Sequence, residues 1–104
     1  MTRAIVIHAA DNVATLIDPA RPGDKCHLQG AVDSMISIVS DVPYGHKVAI
    51  RALQAGEPVM KYNKPIGIVT SDVAVGEHIH VHNMGSSRSG DLVQGGSGLV
   101  LKDK

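Results

Sequence analysis

The sequence predicts a small all-β domain, and two observations support that prediction. Short runs of β-branched and aliphatic residues alternate with turn residues, and no segment carries the apolar spacing of an amphipathic helix. The chain of 104 residues is 43% hydrophobic but only 2% aromatic, with no Trp and no Phe. A chain of this length forms one domain with a modest core, which must consist of Val, Ile, Leu, Ala and Met.

Charge and cysteine content exclude several classes of function. Ten basic and ten acidic residues cancel, so the charge argues against a protein that binds nucleic acid or an anionic membrane. Cys26 is the single cysteine, so a disulfide within the chain is ruled out. We expect Cys26 to be buried and to act as a small hydrophobic residue. No apolar stretch has the length of a signal peptide or a membrane span. We therefore expect a cytoplasmic protein.

The first half of the chain contains the clearest strand patterns. The predicted strands cover residues 4–7, 13–17, 25–29, 34–40 and 46–50. Asp11 and Asn12 form a turn signal between the first two, which predicts an opening hairpin. Residues 34–40 fit a helix or a strand by periodicity, and their β-branched content favours a strand.

A turn motif recurs in the second half of the chain. Residues 53–59, Leu-Gln-Ala-Gly-Glu-Pro-Val, resemble residues 73–79, Val-Ala-Val-Gly-Glu-His-Ile, and residues 22–26 are a fainter copy. Each copy places a glycine turn before a short strand. This pattern predicts one type of hairpin turn used repeatedly, and not a solenoid. We expect the domain to cover residues 1–84, and the Gly- and Ser-rich residues 85–104 to form a flexible tail.

Residues 77–83, Glu-His-Ile-His-Val-His-Asn, are the candidate functional segment, because they hold three of the six histidines. Read as a strand, the segment alternates, so the histidines share one face while Ile79 and Val81 face the core. Imidazoles two residues apart on a strand lie about 6–7 Å apart, which suits two ligands of one metal ion. The spacing also fits histidines on a solvent-facing edge strand or at a subunit interface.

Several segments, in order, closely resemble a known family. They are residues 7–14, 44–50 (Tyr-Gly-His-Lys-Val-Ala-Ile), 59–62, 65–67, 72–73 and 76–83. Together they resemble the N-terminal SAF-type domain of the altronate/galactarate dehydratase family of sugar-acid lyases. The resemblance implies a β-clip fold, a compact unit of short strands and long bent hairpins. One departure is Asn63, where the family has Gly after Lys-Tyr; Asn is the next best residue for a left-handed turn.

The resemblance also implies a function. The large domain of the fused family members does not follow here, and the family includes split enzymes of the sulfolactate sulfo-lyase type. The resemblance therefore implies that this chain is the small subunit of a two-chain lyase. Such a lyase eliminates sulfite or water from a hydroxy acid such as sulfolactate, altronate or galactarate. Its implied partners are a large catalytic subunit, without which it is inactive, and a divalent metal, Fe²⁺, held mainly by that subunit. The alternatives are a non-enzymatic module that binds a sugar acid or another protein, and a scaffold.

Spacing and resemblance together mark seven residues as candidates for the site. Its catalytic candidates are His46, His80 and His82; its substrate-binding candidates are Lys47, Lys61 and Tyr62; its metal-binding candidates are His78, His80 and His82. Two lysines could hold a carboxylate or sulfonate as point charges. Without the resemblance, the same residues fit solvated surface lysines and a tyrosine at a hairpin turn.

Overall fold

The computed structural model describes residues 1–86, and these form strands and turns. The strands are β1 (Thr2–Val6), β2 (Val13–Leu16), β3 (Lys25–Gly30), β4 (Ser34–Ser37), β5 (Lys47–Ala49), β6 (Pro58–Lys61), β7 (Lys64–Val69), β8 (His78–Ile79) and β9 (Met84–Gly85). The predicted all-β class is confirmed. Within this part of the chain no helix is long and apolar enough to cross a membrane. The cytoplasmic location stays a prediction.

The strands form two sheets. The first has the order β4-β3-β1-β2-β5-β8, and the second has the order β6-β7-β9. The predicted opening hairpin is confirmed, because β1 pairs antiparallel with β2 and places Ala4 opposite Leu16. In addition, β1 pairs in parallel with β3, a pairing that no local pattern in the sequence indicated.

Two hydrophobic clusters form the core, one on each side of the first sheet. The first consists of Ala4, Val6, Ala14, Leu16, Ala20, Cys26, Leu28, Ile38, Val42 and Val48. The second consists of Val13, Ala49, Leu53, Val59, Val69, Val73 and Ile79. The buried position predicted for Cys26 is confirmed. Val48 and Ala49 are consecutive and enter different clusters, so β5 is packed on both faces. This packing fixes the strand that follows His46.

The repeated turn occurs four times among the described residues, once more than the sequence suggested. In each copy the N–H group of the last residue donates to the carbonyl of the first, across residues 21–24, 43–46, 54–57 and 74–77. The third residue is always a glycine with φ between 81° and 95°, as a type II turn requires. The copies are coupled in pairs, through backbone bridges between Ala20 and Val42 and between Leu53 and Val73.

The boundaries of the predicted strands differ from the observed ones by up to three residues, most at the end of the strand predicted over residues 34–40. The strand predicted over residues 34–40 ends at Ser37. Gly85, the first residue of the predicted tail, lies in β9 opposite Ile68. The rest of that tail, from residue 87, lies outside the described residues.

Candidate functional site

His46 and His78 meet because β5 pairs with β8. The antiparallel register places Val48 opposite His78. His46 is the last residue of the turn before β5, and its Nδ1 atom lies 2.8 Å from Nε2 of His78. The ring centroids are 5.0 Å apart. We refer to His46, His78, His80 and His82 as the histidine cluster.

His80 and His82 reach the cluster through a turn rather than along a strand. Strand β8 ends at Ile79, and the N–H of Asn83 donates to the carbonyl of His80 at 3.1 Å. Ile79 is fully buried, as predicted, but Val81 is 80% exposed. The prediction that Val81 faces the core is wrong, because the period of two stops where the strand ends.

Asn83 holds this turn, and its role was missed in the sequence. Its side chain is 3% exposed; it accepts the N–H of His80 at 2.9 Å and donates to the carbonyl of His78 at 2.9 Å. The amide therefore satisfies two backbone groups that a longer strand would have paired. The available signal was an Asn after the histidine run, since Asn side chains often bond to nearby backbone in turns.

The imidazole rings of the cluster are close together. The ring of His80 stacks on that of His46 with a centroid distance of 4.2 Å, and the ring of His82 lies 5.1 Å from that of His78. One ring nitrogen each from His46, His78 and His80 lies within 4.8 Å of the other two. Three imidazoles at this separation fit a divalent transition metal, whose bonds to nitrogen are about 2.0–2.1 Å for zinc.

This triad differs from the set predicted for a metal. The strand pattern suggested His78, His80 and His82, whereas the structure groups His46 with His78 and His80. His46 supplies the third nitrogen that the local motif lacked. Its part was hidden in the sequence because it lies 32 positions from His78.

Burial and neighbouring charges favour neutral imidazoles at His78 and His80. Partial burial, then the charges of His46, His82, His80 and Lys47, lower the pKa of His78 to about 4. The pKa of His80 is also lowered, by loss of hydration and then by the charges of His46, Lys47 and His82. Both rings are therefore favoured in the uncharged form at pH 7, which is the form that binds a metal.

The charges of Lys47 and Lys61 act on each other, and their common role in binding an anion stays a prediction. Partial burial, and then the charge of Lys61, lowers the pKa of Lys47. Lys47 in turn acts on His78 and His80, so the two lysines give a positive charge to the surface beside these rings, and we call this surface the cationic patch. Among residues 1–86 the ion pairs are Arg3–Asp18 and His27–Asp33, so neither lysine is paired with a carboxylate there. Such a patch favours an anionic ligand.

Lys61 and Tyr62 lie at the tip of the β6–β7 hairpin. Lys61 is paired with Lys64, so Tyr62 and Asn63 form the two-residue connection. Their φ angles are 60° and 61°. The left-handed conformation expected for Asn63 is confirmed, and Tyr62 shares it. The Nζ atom of Lys61 lies 5.1 Å from the centre of the Tyr62 ring, which is 56% exposed.

Two side chains from the turn before β2 bind this hairpin. The Asp11 carboxylate accepts the N–H groups of Tyr62 at 3.1 Å and Asn63 at 2.9 Å. The Asn12 side chain donates to the carbonyl of Pro58 at 2.9 Å and accepts the N–H of Met60 at 2.8 Å. The sequence indicated only a turn at these positions, because contacts about 50 residues away leave no local pattern.

The fold and the patch define a small all-β domain with a candidate site for a metal and an anion. The chain belongs to the altronate/galactarate dehydratase SAF domain family, whose model matches residues 2–87. This match confirms the resemblance found in the sequence.

The chain is similar to two kinds of curated relative. Altronate dehydratase of Bacillus subtilis is 36% identical over 83 residues, which cover 80% of this chain and 16% of that enzyme. The altronate dehydratase of Escherichia coli is 37% identical over 90 residues, which cover 86% of this chain and 17% of the enzyme. The (2R)-sulfolactate sulfo-lyase subunit alpha of Paracoccus pantotrophus is 45% identical over 56 residues, which cover 54% of this chain and 84% of that subunit. The match thus spans about a sixth of each dehydratase. By these relatives, the chain is related to lyases.

Proposed function

We propose that this chain is the small subunit of a two-chain lyase that acts on an anionic 2-hydroxy acid. The observation that carries the proposal is the convergence of the histidine cluster with Lys47 and Lys61 in one cationic patch. The relatives support it, because one kind is named a sulfo-lyase subunit and the other a dehydratase. Sulfolactate is the substrate we favour, with altronate and galactarate as the alternatives.

The proposed reaction is a β-elimination. A base takes the proton from the carbon that carries the hydroxyl and the carboxylate, and the electron pair forms a double bond to the next carbon. The leaving group departs with its bonding electrons, as sulfite from sulfolactate or as hydroxide, which becomes water, from a sugar acid. The resulting enol becomes the 2-keto acid, which is pyruvate in the sulfolactate case.

The residues of the patch divide these tasks in the proposal. Lys47 and Lys61 bind the carboxylate and the second anionic group, and Tyr62 contacts the substrate beside Lys61. His82 is exposed beside His78 and lies outside the triad, so it is the candidate for proton transfer. A carbon-bound proton is also made more acidic when the neighbouring carboxylate is neutralised, which gives the lysines a second role.

We further propose that His46, His78 and His80 hold a divalent metal ion, with Fe²⁺ as the ion implied by the family resemblance. The three ring nitrogens fit such an ion, and the lowered pKa of His78 favours its ligand form. When bound, the metal would polarise a substrate oxygen as a Lewis acid. No acidic group joins the triad among residues 1–86, so the proposed large subunit supplies the remaining ligands.

The test begins with a reading frame for the large chain beside the gene for this one. The two chains, purified together, are expected to release sulfite and pyruvate from sulfolactate, while either chain alone does not. Turnover of altronate or galactarate instead would change the substrate and keep the elimination. A stable pair without turnover of any of the three acids would favour the non-enzymatic binding module.

Two lysine variants of the purified pair then test the patch. Lys47→Ala and Lys61→Ala are each expected to raise KM about ten- to a hundredfold, because a charge-assisted hydrogen bond is lost. Lys25→Ala is the matched control, since Lys25 bonds to Ser37 on the β3–β4 pair. If all three variants behave alike, the two lysines belong to the solvated surface.

A further inference from the structure

In the two-residue connection formed by Tyr62 and Asn63, the backbone of the tyrosine is strained, and the cause of that strain bears on its role. Two-residue hairpin connections with both φ angles positive favour Asn-Gly, because residues without bulk adopt that conformation most easily. Here the first position is a tyrosine with φ of 60°. A bulky residue in this region is strained, and it persists only where the surroundings enforce it.

Asp11 is the group that enforces this conformation. Its side chain is 2% exposed, and it accepts three backbone N–H groups, those of His8, Tyr62 and Asn63, at 2.9–3.1 Å. The two turn N–H groups bind different oxygens of this carboxylate, that of Tyr62 to Oδ2 and that of Asn63 to Oδ1. Asp11 is buried, whereas Tyr62 is exposed.

The strained tip adjoins the cationic patch. Lys61 is the residue before the connection, its ammonium group lies over the Tyr62 ring, and its charge acts on Lys47. A glycine at the tip would make the same turn without strain and without Asp11. A tyrosine at this position is explained if the phenol of Tyr62 and the ammonium group of Lys61 must be held in one fixed orientation.

We propose that Asp11 is a positioning residue, which fixes Lys61 and Tyr62 for binding of an anionic substrate. The inference rests on the proposed function, since that function makes the patch an anion site. Asp11 acts through the turn and does not touch the substrate. Its negative charge would by itself repel an anion, so positioning and charge have opposite effects on affinity. That opposition makes the proposal testable.

The experiment measures anion binding by the full chain of 104 residues. Sulfate and sulfolactate are titrated into ¹⁵N-labelled protein, and the dissociation constants are taken from amide shifts. Asp11→Asn is expected to weaken binding about three- to tenfold, the worth of one or two misplaced hydrogen bonds. Asp18→Asn removes an equal charge from the exposed pair with Arg3, and is the matched control with unchanged affinity.

A second substitution tests whether the effect passes through the turn. Asn63→Gly in the Asp11→Asn protein should restore most of the lost affinity, because glycine adopts the left-handed conformation without enforcement. A merely structural role for Asp11 would lower the melting temperature and leave the affinity of the folded protein unchanged. If the Asp11→Asn protein does not fold, Asn63→Ala is measured in its place. Asn63→Ala loosens the turn and keeps the Asp11 carboxylate, and the same loss of anion affinity is expected.

The outcomes separate this inference from the proposed function. Weaker binding in Asp11→Asn with recovery by glycine supports the positioning role. The positioning role is overturned if Asp11→Asn, or Asn63→Ala in its place, binds the anions as tightly as the wild type or more tightly. It is also overturned if glycine does not restore the affinity. The proposed function survives either result as long as Lys61→Ala still weakens binding. If Lys61→Ala binds both anions like the wild type, the anion patch itself is wrong and both proposals fall.

Discussion

The Nδ1 atom of His46 and the Nε2 atom of His78 lie 2.8 Å apart, at hydrogen-bond distance. One ring must donate and the other accept, so at least one nitrogen of each ring is committed to this contact. If a metal ion bound to these two atoms, both would have to be unprotonated, and each neutral ring would carry its proton on its other nitrogen. Metal binding would therefore select one tautomer of each ring, with Nδ1 of His46 and Nε2 of His78 free of a proton.

The metal triad predicts a graded set of variants. His46→Ala and His80→Ala should each lower the affinity of the chain for Co²⁺ more than about tenfold, because each removes a ligand. His82→Ala should change the affinity little, and His27→Ala, from the pair with Asp33, is the control. The measurement is titration calorimetry together with the visible absorption of Co²⁺. An equal loss in His82→Ala would restore the set expected from a continuous strand.

The pKa of His78 predicts how stability depends on pH. Its folded value is about 4, and its unfolded value is about 6.5. Between these values the unfolded chain binds the extra proton, so the stabilising effect of the neutral ring is complete above about pH 6.5 and is lost as the pH falls towards 4. Urea denaturation at pH 7, 5.5 and 4.5 should show a smaller decline for His78→Gln than for the wild type. Parallel declines would contradict the lowered pKa.

Ile79 and Val81 should respond oppositely to the same substitution. Ile79→Asp places an unpaired charge in the second hydrophobic cluster and should unfold the domain. Val81→Asp changes an exposed side chain and should alter the free energy of unfolding by less than about 0.5 kcal/mol. Thermal melting by circular dichroism distinguishes them. A large loss in Val81→Asp would mean that the histidine segment continues as a strand.

Asn83 should matter for both stability and metal binding. Asn83→Ala leaves the N–H of His80 and the carbonyl of His78 without their partner, at a cost of about 1–3 kcal/mol if they stay buried. The same loss should weaken Co²⁺ binding, since the loosened turn carries His80. Asn83→Asp keeps the acceptor and loses only the donor, so an intermediate effect is expected. Unchanged Co²⁺ affinity in Asn83→Ala would show that the turn does not position the ring.

The sequence predicted the features that depend on near neighbours. Alternating residues and turn signals marked the opening hairpin and the buried Ile79, and the left-handed Asn63 followed from its place after Lys61 and Tyr62. The error at Val81 has the same origin: a period of two describes side chains only while the strand lasts, and nothing local showed that β8 ends at Ile79.

The assembled site required contacts that the sequence does not encode locally. His46 joins the triad through the pairing of β5 with β8, and Asp11 reaches the hairpin tip across 51 positions. The turn signal at Asp11 and Asn12 was recognised in the sequence, but the long-range partners of Asp11 and His46 depend on how the strands and sheets come together. The type of each residue was therefore informative, while its role came from the fold.

The exposure of Val81 offers a point of attachment for a spectroscopic reporter. Cys26 is the only cysteine in the chain, it is buried, and burial raises the pKa of its thiol, which keeps it unreactive. A thiol introduced as Val81→Cys would thus be labelled selectively by a maleimide dye. The fluorophore would stand between His80 and His82 and report quenching by Co²⁺, or the arrival of a second polypeptide, without touching the core.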